Sequence, residues 1–143
     1  MKFSRIDLSK TNYSKINNWT YLIPTEKCIR KCQAIYQKYC RHKQFDSVMP
    51  LFDLHLYDRY SDIIGYIENS ELIAFSLIKR FNPHDAEAIQ FAWDYENPDL
   101  RLGIVSLQHE CAIYKDRGFK YLYLGEDLEY KRQFDGYEVL GPI

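Results

Sequence analysis

Three short strand-like segments follow one another in the middle of the chain, and they are the strongest constraint on its fold. These segments are residues 63–67, 72–81 and 87–95. The first two are separated by the polar residues 68–71, the length of a hairpin connection. A helix-length segment, 99–117, then precedes a fourth strand-like run at 119–124. This order predicts an antiparallel meander followed by a right-handed β-α-β crossover at residues 87–125.

The N-terminal part of the chain predicts one strand and one amphipathic helix. Residues 19–24 favour a short strand that ends at Pro24, and Thr25 is suited to cap the helix that follows. Over residues 26–42, apolar and semi-apolar side chains recur with helical spacing. These residues are Cys28, Ile29, Cys32, Ile35, Tyr36, Tyr39 and Cys40. We expect this helix to bury one face and expose the opposite one.

Three further elements complete the predicted fold. A second helix is expected over 51–60, a short helix over 127–134 and a last strand over 137–140. The predicted fold class is α/β in the α+β sense, with a mixed, mostly antiparallel sheet flanked by helices. Ligands of such sheets often bind where the strand order switches. We therefore expect the site between the strands at 87–95 and 119–124.

Composition restricts the kind of protein. The chain has 143 residues, 46% hydrophobic and 27% charged, which predicts one folded domain over residues 1–143. No apolar run approaches the roughly 18 residues of a membrane helix, and the N-terminus lacks a signal-peptide core. We therefore expect a cytoplasmic protein with no membrane partner. The four cysteines and four histidines lack metal-ligand spacing, so we expect no metal and reduced, buried thiols.

Charge is distributed unevenly, although the formal net charge is only −1. Residues 1–45 carry ten basic and two acidic side chains (+8), whereas residues 46–143 carry nine and eighteen (−9). The positive part includes the polar face of the first helix, where weak, salt-dependent contacts with RNA are expected. The candidate RNA-binding residues are Lys27, Arg30, Lys31 and Lys38. The alternative is an ordinary solvated helix face.

A glycine-containing helix start lies between the third strand and the fourth. It extends from Asp99 to Ser106 and includes Gly103. The start of a helix presents unpaired amide groups and a partial positive charge, which suit a phosphate or a developing oxyanion. A glycine there allows close approach of a ligand to the backbone, and the alternative is a role in packing alone.

A longer pattern begins at this helix start. It comprises Leu102-Gly103, Ser106, Glu110, Gly118, Tyr121-x-Tyr123-Leu124-Gly125, Tyr130-Lys131, Gln133-Phe134, Glu138, Leu140 and Pro142. This pattern resembles the C-terminal region of the arginyl-tRNA–protein transferases, which share the architecture of the GNAT acetyltransferase superfamily. The resemblance extends more weakly over residues 21–143. It implies a GNAT-like domain.

The resemblance also implies a reaction in which an amine attacks an activated acyl group. Asp94 or Glu96 would accept or relay the amine proton, and Tyr130 would protonate the leaving group. The residues expected to bind the donor are Arg101, Gly103, Ile104, Ser106 and Lys131. The alternatives are solvated carboxylates, a core tyrosine and a solvated lysine. The predicted function is transfer of an aminoacyl group from aminoacyl-tRNA, as a co-substrate, to an amine of a protein or peptide.

Two other functions remain open. One is an acetyl-CoA-dependent N-acetyltransferase, whose pyrophosphate loop has Arg or Gln three residues before a glycine and Gly or Ala two residues after it. With Gly103 as that glycine, these positions hold Leu100 and Val105, so the loop matches poorly. The other is a GNAT-like module that binds or inhibits without catalysis.

Glu110 lies in the middle of the helix that follows the glycine. We expect a structural role for it, in which its carboxylate accepts a hydrogen bond from Tyr121 or Tyr123 of the next strand.

Overall fold

One mixed sheet forms the centre of the computed structural model, which describes residues 2–44, 58–96 and 98–141. Its strands in these residues are β1 (Phe3–Asp7), β2 (Trp19–Tyr21), β3 (Ser61–Glu68), β4 (Glu71–Arg80), β5 (Asp85–Trp93), β6 (Tyr121–Glu126) and β7 (Tyr137–Leu140). Their spatial order is β2-β3-β4-β5-β6-β1-β7. All neighbouring strands are antiparallel except β5 and β6, which are parallel. The predicted fold class is therefore confirmed.

The two long helices cover opposite faces of this sheet. They are α1 (Glu26–Lys43) and α2 (Leu102–Asp116). The buried side of α1 packs on one face of the meander, and α2 packs on the other face, where the larger cluster of core residues lies. The buried residues of α1 are Cys32, Ile35, Tyr36 and Cys40, which confirms the predicted apolar stripe. The cysteines of the chain are free thiols, and three of them are buried.

Local signals explain why several elements lie where the sequence predicts them. The Thr25 side chain accepts a hydrogen bond from the Cys28 amide at 3.1 Å, so it caps α1 as expected. Asn69 and Ser70 connect β3 to β4 with φ values of 51° and 65°. Positive φ at both central residues is typical of the two-residue turn that suits the twist of a hairpin.

The β-α-β crossover determines where a cavity can form. Strand β5 runs into α2, and β6 returns parallel to β5 with pairs from Asp85↔Tyr121 to Glu87↔Tyr123. Beyond these pairs β5 continues to Trp93 and β6 to Glu126, and the two strands pair no further within the described residues. The sheet therefore divides at this point, between the strands where we expected the site.

Some predicted boundaries were wrong. The helix predicted from Asp99 begins at Leu102, because Pro98–Leu100 forms a 3₁₀ turn and Arg101 adopts a left-handed conformation (φ 48°, ψ 44°). The strand predicted over 19–24 ends at Tyr21, and the helix predicted over 127–134 is the 3₁₀ segment Glu129–Gln133. The helix predicted over 51–60 lies mostly outside the described residues, and residues 58–60 form a bend and a turn.

Strand β1 was not predicted from the sequence. It pairs with both β6 and β7, and its buried positions are Ser4 and Ile6. The Ser4 hydroxyl donates a hydrogen bond to the Gly125 carbonyl at 3.1 Å, which satisfies a polar side chain in the core. Within the described parts of the chain, no helix is long and apolar enough to cross a membrane.

Candidate active site

A cleft of about 380 Å³ opens where β5 and β6 separate. Its apolar walls come from β5, α2 and β6, and include Ile89, Phe91, Trp93, Leu107 and Leu124. Its polar lining residues come from β5 and the residues just after it, from α1, from α2 and from the 3₁₀ segment after β6. These residues are Tyr39, Lys43, Gln90, Tyr95, Ser106, Glu110, Tyr130 and Lys131, and Gly103 of α2 lines the cleft beside them. The cleft therefore brings together five segments of the chain.

One face of α2 lines the cleft from its exposed end to its buried end. Gly103, Ser106 and Glu110 follow one another along this face because they are separated by three and four residues. Gly103 is exposed, whereas Ser106 and Glu110 are each only 2% exposed. A Cβ atom added to Gly103 would meet no heavy atom within 4 Å. The glycine therefore keeps the entrance side of the cleft open.

Two other residues of the predicted donor site lie at the same helix start but do not line the cleft. Arg101 is exposed, and its carbonyl accepts hydrogen bonds from the Ile104 and Val105 amides at 3.0 Å each. The Ile104 amide therefore already has a partner. The Gly103 amide belongs to the first turn, where helices leave amides without an intrahelical acceptor.

Glu110 is the buried acid at the deep end of the cleft. The hydroxyls of Tyr66 and Ser76 both donate to its Oε2 atom, the latter at 2.6 Å. Burial raises the pKa of the carboxyl to about 7, and these two hydrogen bonds only partly oppose the shift. Such a pKa is typical of functional carboxylates.

The hydrogen bonds expected from Tyr121 or Tyr123 to Glu110 were wrong. Side chains alternate along a strand, and Leu122 and Leu124 occupy the face of β6 that packs toward α2. The two tyrosines thus lie on the other face, where the Arg5 guanidinium stacks on the Tyr121 ring at 3.8 Å and donates to the Tyr123 hydroxyl at 3.1 Å.

Lys131 and Tyr130 line the cleft from the segment that follows β6. The Lys131 ammonium donates to the Leu124 carbonyl at 2.9 Å, just past the last residue of β6 that pairs with β5. Desolvation lowers the pKa of Lys131. The Tyr130 side chain is 58% exposed, and surrounding protein atoms raise its pKa by desolvation, so its hydroxyl is protonated at neutral pH.

Aromatic and basic residues form the mouth of the cleft beside the C-terminal end of α1. The Tyr95 ring stacks on His42 at 3.7 Å and lies parallel to Tyr39 at 6.0 Å. Lys43 lies 6.0 Å from the rings of both tyrosines. Tyr95 has a φ of 60°, which is unusual for a bulky residue and directs this part of the chain away from the strand. Lys43 was not predicted from the sequence to line a site.

The predicted acids at the end of β5 lie outside the cleft lining. The Asp94 carboxylate accepts a hydrogen bond from the Glu96 amide at 3.0 Å and so closes a local turn. The Glu96 carboxylate accepts one from the Lys38 ammonium at 3.2 Å. Neither acid therefore lines the cleft together with Tyr130 and Lys131.

The predicted RNA-binding residues share the exposed side of α1. Lys27, Lys31 and Lys38 are exposed and recur at helical spacing on one face. Arg30 forms an ion pair with Glu26, and Lys38 forms the one with Glu96. No group of residues able to hold a metal ion occurs in the described part of the chain.

Known proteins resemble this chain both in sequence and in fold. The family model for the C terminus of arginine-tRNA-protein transferase matches residues 30–141. An aspartate/glutamate leucyltransferase of Shewanella putrefaciens is 25% identical over 122 residues, which cover 76% of this chain and 52% of the relative. The chain thus spans about half the length of the curated relatives it matches.

Solved structures show the same fold at low sequence identity. The structure of L-PGS from Bacillus licheniformis superposes with a TM-score of 0.65 at 10% identity, covering 87% of this chain and 46% of that one. A putative acetyltransferase of the GNAT family from Novosphingobium aromaticivorans gives a TM-score of 0.61 at 16% identity, covering 96% and 58%. These similarities establish a GNAT-like fold.

Proposed function

The chain belongs to the family of arginine-tRNA-protein transferase C termini, and we propose that it transfers an aminoacyl group from aminoacyl-tRNA to an amine of a protein or peptide. The observation that carries this proposal is the cleft between β5 and β6. Residues of the family-matched region line it, including Gly103, Ser106, Tyr130 and Lys131.

The helix start and the lysines at the mouth suit the anionic part of such a donor. The 3′ end of a tRNA presents phosphates, a ribose and a terminal base. The first-turn amides of α2 and its partial positive charge favour a phosphate or an oxyanion near Gly103. The ammonium groups of Lys43 and Lys131 lie at the same cleft and add positive charge. The stacked rings of Tyr95 and Tyr39 also line the cleft and give this end an aromatic surface.

The exposed face of α1 extends this positive region away from the cleft. The helix has 18 residues and is therefore about 27 Å long. Lys27 and Lys31 lie near its first turns and Lys43 at its end, beside the mouth. This arrangement would allow a tRNA acceptor arm to follow the helix with its charged terminus in the cleft.

The chemistry needs few groups because the donor ester is already activated. An α-amino group titrates near pH 8, so part of it is neutral at physiological pH and attacks the ester carbonyl. The new C–N bond forms and the ester C–O bond breaks. In our proposal Tyr130 gives its proton to the departing ribose oxygen and takes one from the nitrogen, so that protons balance. Amides at the helix start stabilise the oxyanion.

Incubation with radiolabelled aminoacyl-tRNAs and a set of peptides with different N-terminal residues tests this function. We expect label to become attached to a peptide through an amide bond, and Tyr130→Phe to lower kcat with little change in tRNA affinity. A matched control is Tyr60→Phe, since Tyr60 is exposed and does not line the cleft. Absence of transfer from every charged tRNA, with acetylation from acetyl-CoA in the same assay, would contradict the proposal.

A further inference from the structure

The carboxylate at the deep end of the cleft has no positive partner. In residues 2–44, 58–96 and 98–141, no Lys, Arg or His forms an ion pair with Glu110. The residue is 2% exposed. A buried charge without a positive partner is costly, and burial accordingly raises the pKa of this carboxyl. A cation that entered the cleft would remove this cost.

The hydrogen bonds of Glu110 leave one oxygen for a ligand. Tyr66 and Ser76 both donate to Oε2, and no side chain of the described residues donates to Oε1. The Tyr66 hydroxyl oxygen also lies 3.2 Å from the Ser106 carbonyl oxygen, so its single proton is shared between the carboxylate and the helix backbone. Because Glu110 lines the cleft, Oε1 is the oxygen positioned to accept a hydrogen bond from a bound molecule.

The position of Glu110 along α2 separates it from the expected place of the ester. Glu110 is seven positions after Gly103, which corresponds to about 10 Å along the helix. A carboxylate this far from the helix start is too remote to exchange protons directly with a reacting ester there. The distance instead suits the end of a long side chain. Phe91, Leu107 and Leu124 also line the cleft, so apolar surface is available for its methylene groups.

We propose that Glu110 is the specificity-determining residue of the cleft: its Oε1 atom binds the cationic side chain of the donor's aminoacyl group, and so selects an arginyl or lysyl group over a leucyl group. This inference rests on the proposed function for its reaction but makes a separate claim about binding. A leucyl side chain offers neither a positive charge nor a hydrogen-bond donor, so it would leave the Oε1 atom without a donor and the carboxylate without a positive partner.

Binding of small aminoacyl amides tests the assignment without any transfer reaction. The probes are argininamide, lysinamide, leucinamide and citrullinamide, the last having nearly the shape of argininamide but no side-chain charge. We expect argininamide to bind the wild type about tenfold or more tightly than citrullinamide, as measured by calorimetry or NMR titration. In Glu110→Gln this difference should vanish, whereas Glu71→Gln, at an exposed site, should keep it.

Ser76→Ala provides a second variant in case Glu110→Gln folds poorly. It removes one of the two hydrogen bonds to Oε2 but keeps the carboxylate, so argininamide should still be preferred, with affinity reduced by a factor of a few. Equal binding of argininamide and citrullinamide by the wild type overturns the inference. So does a preference for argininamide that persists in Glu110→Gln.

Transfer assays with arginyl-, lysyl- and leucyl-tRNA then separate the two levels of the proposal. We expect kcat/KM for the basic donors to exceed that for the leucyl donor by about 100-fold, and Glu110→Gln to abolish this ratio. Efficient transfer from all three donors would overturn the specificity role but support the proposed function. Selective binding of argininamide without transfer from any donor would support the cation site and contradict the proposed function.

Discussion

Neutralising Glu110 should change how the stability of the protein depends on pH. In the folded protein burial raises the pKa of this carboxyl from 4.5 to about 7. Between these values the native state binds more protons than the unfolded chain, so the free energy of unfolding falls as pH rises through this window. The shift corresponds to about 3 kcal/mol, lost progressively between about pH 4 and pH 8.

The groups that face Glu110 are not expected to titrate in this range. They are the Tyr66 hydroxyl of β3, the Ser76 hydroxyl of β4 and the Cys111 thiol on α2. Burial raises the pKa of Tyr66 well above 10 and also raises that of the Cys111 thiol. All three groups therefore remain neutral from pH 4 to pH 8, and the local change in this window belongs to Glu110.

The adjacent histidine has the opposite effect, so the wild-type profile alone cannot isolate Glu110. Burial lowers the pKa of His109 from 6.5 to about 4, and its Nδ1 accepts a hydrogen bond from the Ile16 amide at 3.0 Å. The unfolded chain binds this proton between pH 6.5 and pH 4 while the native state does not. This contribution to stability is therefore lost as pH falls, and it opposes that of Glu110 between about pH 4.5 and 6.5.

A comparison of Glu110→Gln with the wild type removes the histidine from the result. Glutamine keeps an acceptor oxygen for Tyr66 and Ser76 but has no charge. Urea denaturation at several pH values between 4.5 and 8 gives the free energy of unfolding of the variant minus that of the wild type. We expect this difference to rise by about 3 kcal/mol as the pH increases from 4.5 to 8. The control Glu71→Gln should stay within about 0.5 kcal/mol. A constant difference between Glu110→Gln and wild type would refute the reasoning.

Three other variants test separate parts of the structure. Gly103→Leu should leave thermal stability unchanged or higher, because open space surrounds this position. The same variant should block donor binding in a filter assay, and unchanged binding would contradict the placement of the donor. Gly136→Ala should lower the free energy of unfolding by about 2 kcal/mol or more, because φ at this position is +74° and the new Cβ would lie 2.4 Å from the Asp7 carbonyl oxygen. A smaller loss would show that the backbone around residue 136 relaxes. Replacing Lys27 and Lys31 together by Gln should reduce the slope of log affinity for tRNA against log salt by about 2, and an unchanged slope would exclude contacts at this face.

Elements with a strong local pattern could be predicted from the sequence. The helix expected over 26–42 is Glu26–Lys43, and the strand expected over 137–140 is Tyr137–Leu140. Strand β1 could not, because its five residues have mixed polarity and it pairs with β6 and β7, more than 100 residues later. Its serine at a core position is understandable only once the carbonyl that accepts its hydrogen bond is known.

The candidate site was predictable only in part. The resemblance directed attention to Gly103, Ser106 and Lys131, which all line the cleft. The surroundings of Glu110 were not predictable, because Tyr66 and Ser76 are 44 and 34 residues away in the chain. One signal was present in the sequence, since a charged residue four positions after Ser106 falls on the apolar side of the predicted helix. Burial of a charge at such a position demands partners and indicates a function.

The polarity of the cleft favours one kind of donor over another. Its mouth and helix start are positive, with Lys43 and Lys131, and its deep end holds the uncompensated carboxylate of Glu110. A ligand that fits both ends is anionic at one end and cationic at the other. An aminoacyl-tRNA with a basic side chain has this distribution, whereas acetyl-CoA combines its phosphates with a neutral acetyl group. Acetyl-CoA would thus leave Glu110 without a positive partner, and we expect it to compete poorly with argininamide for the cleft.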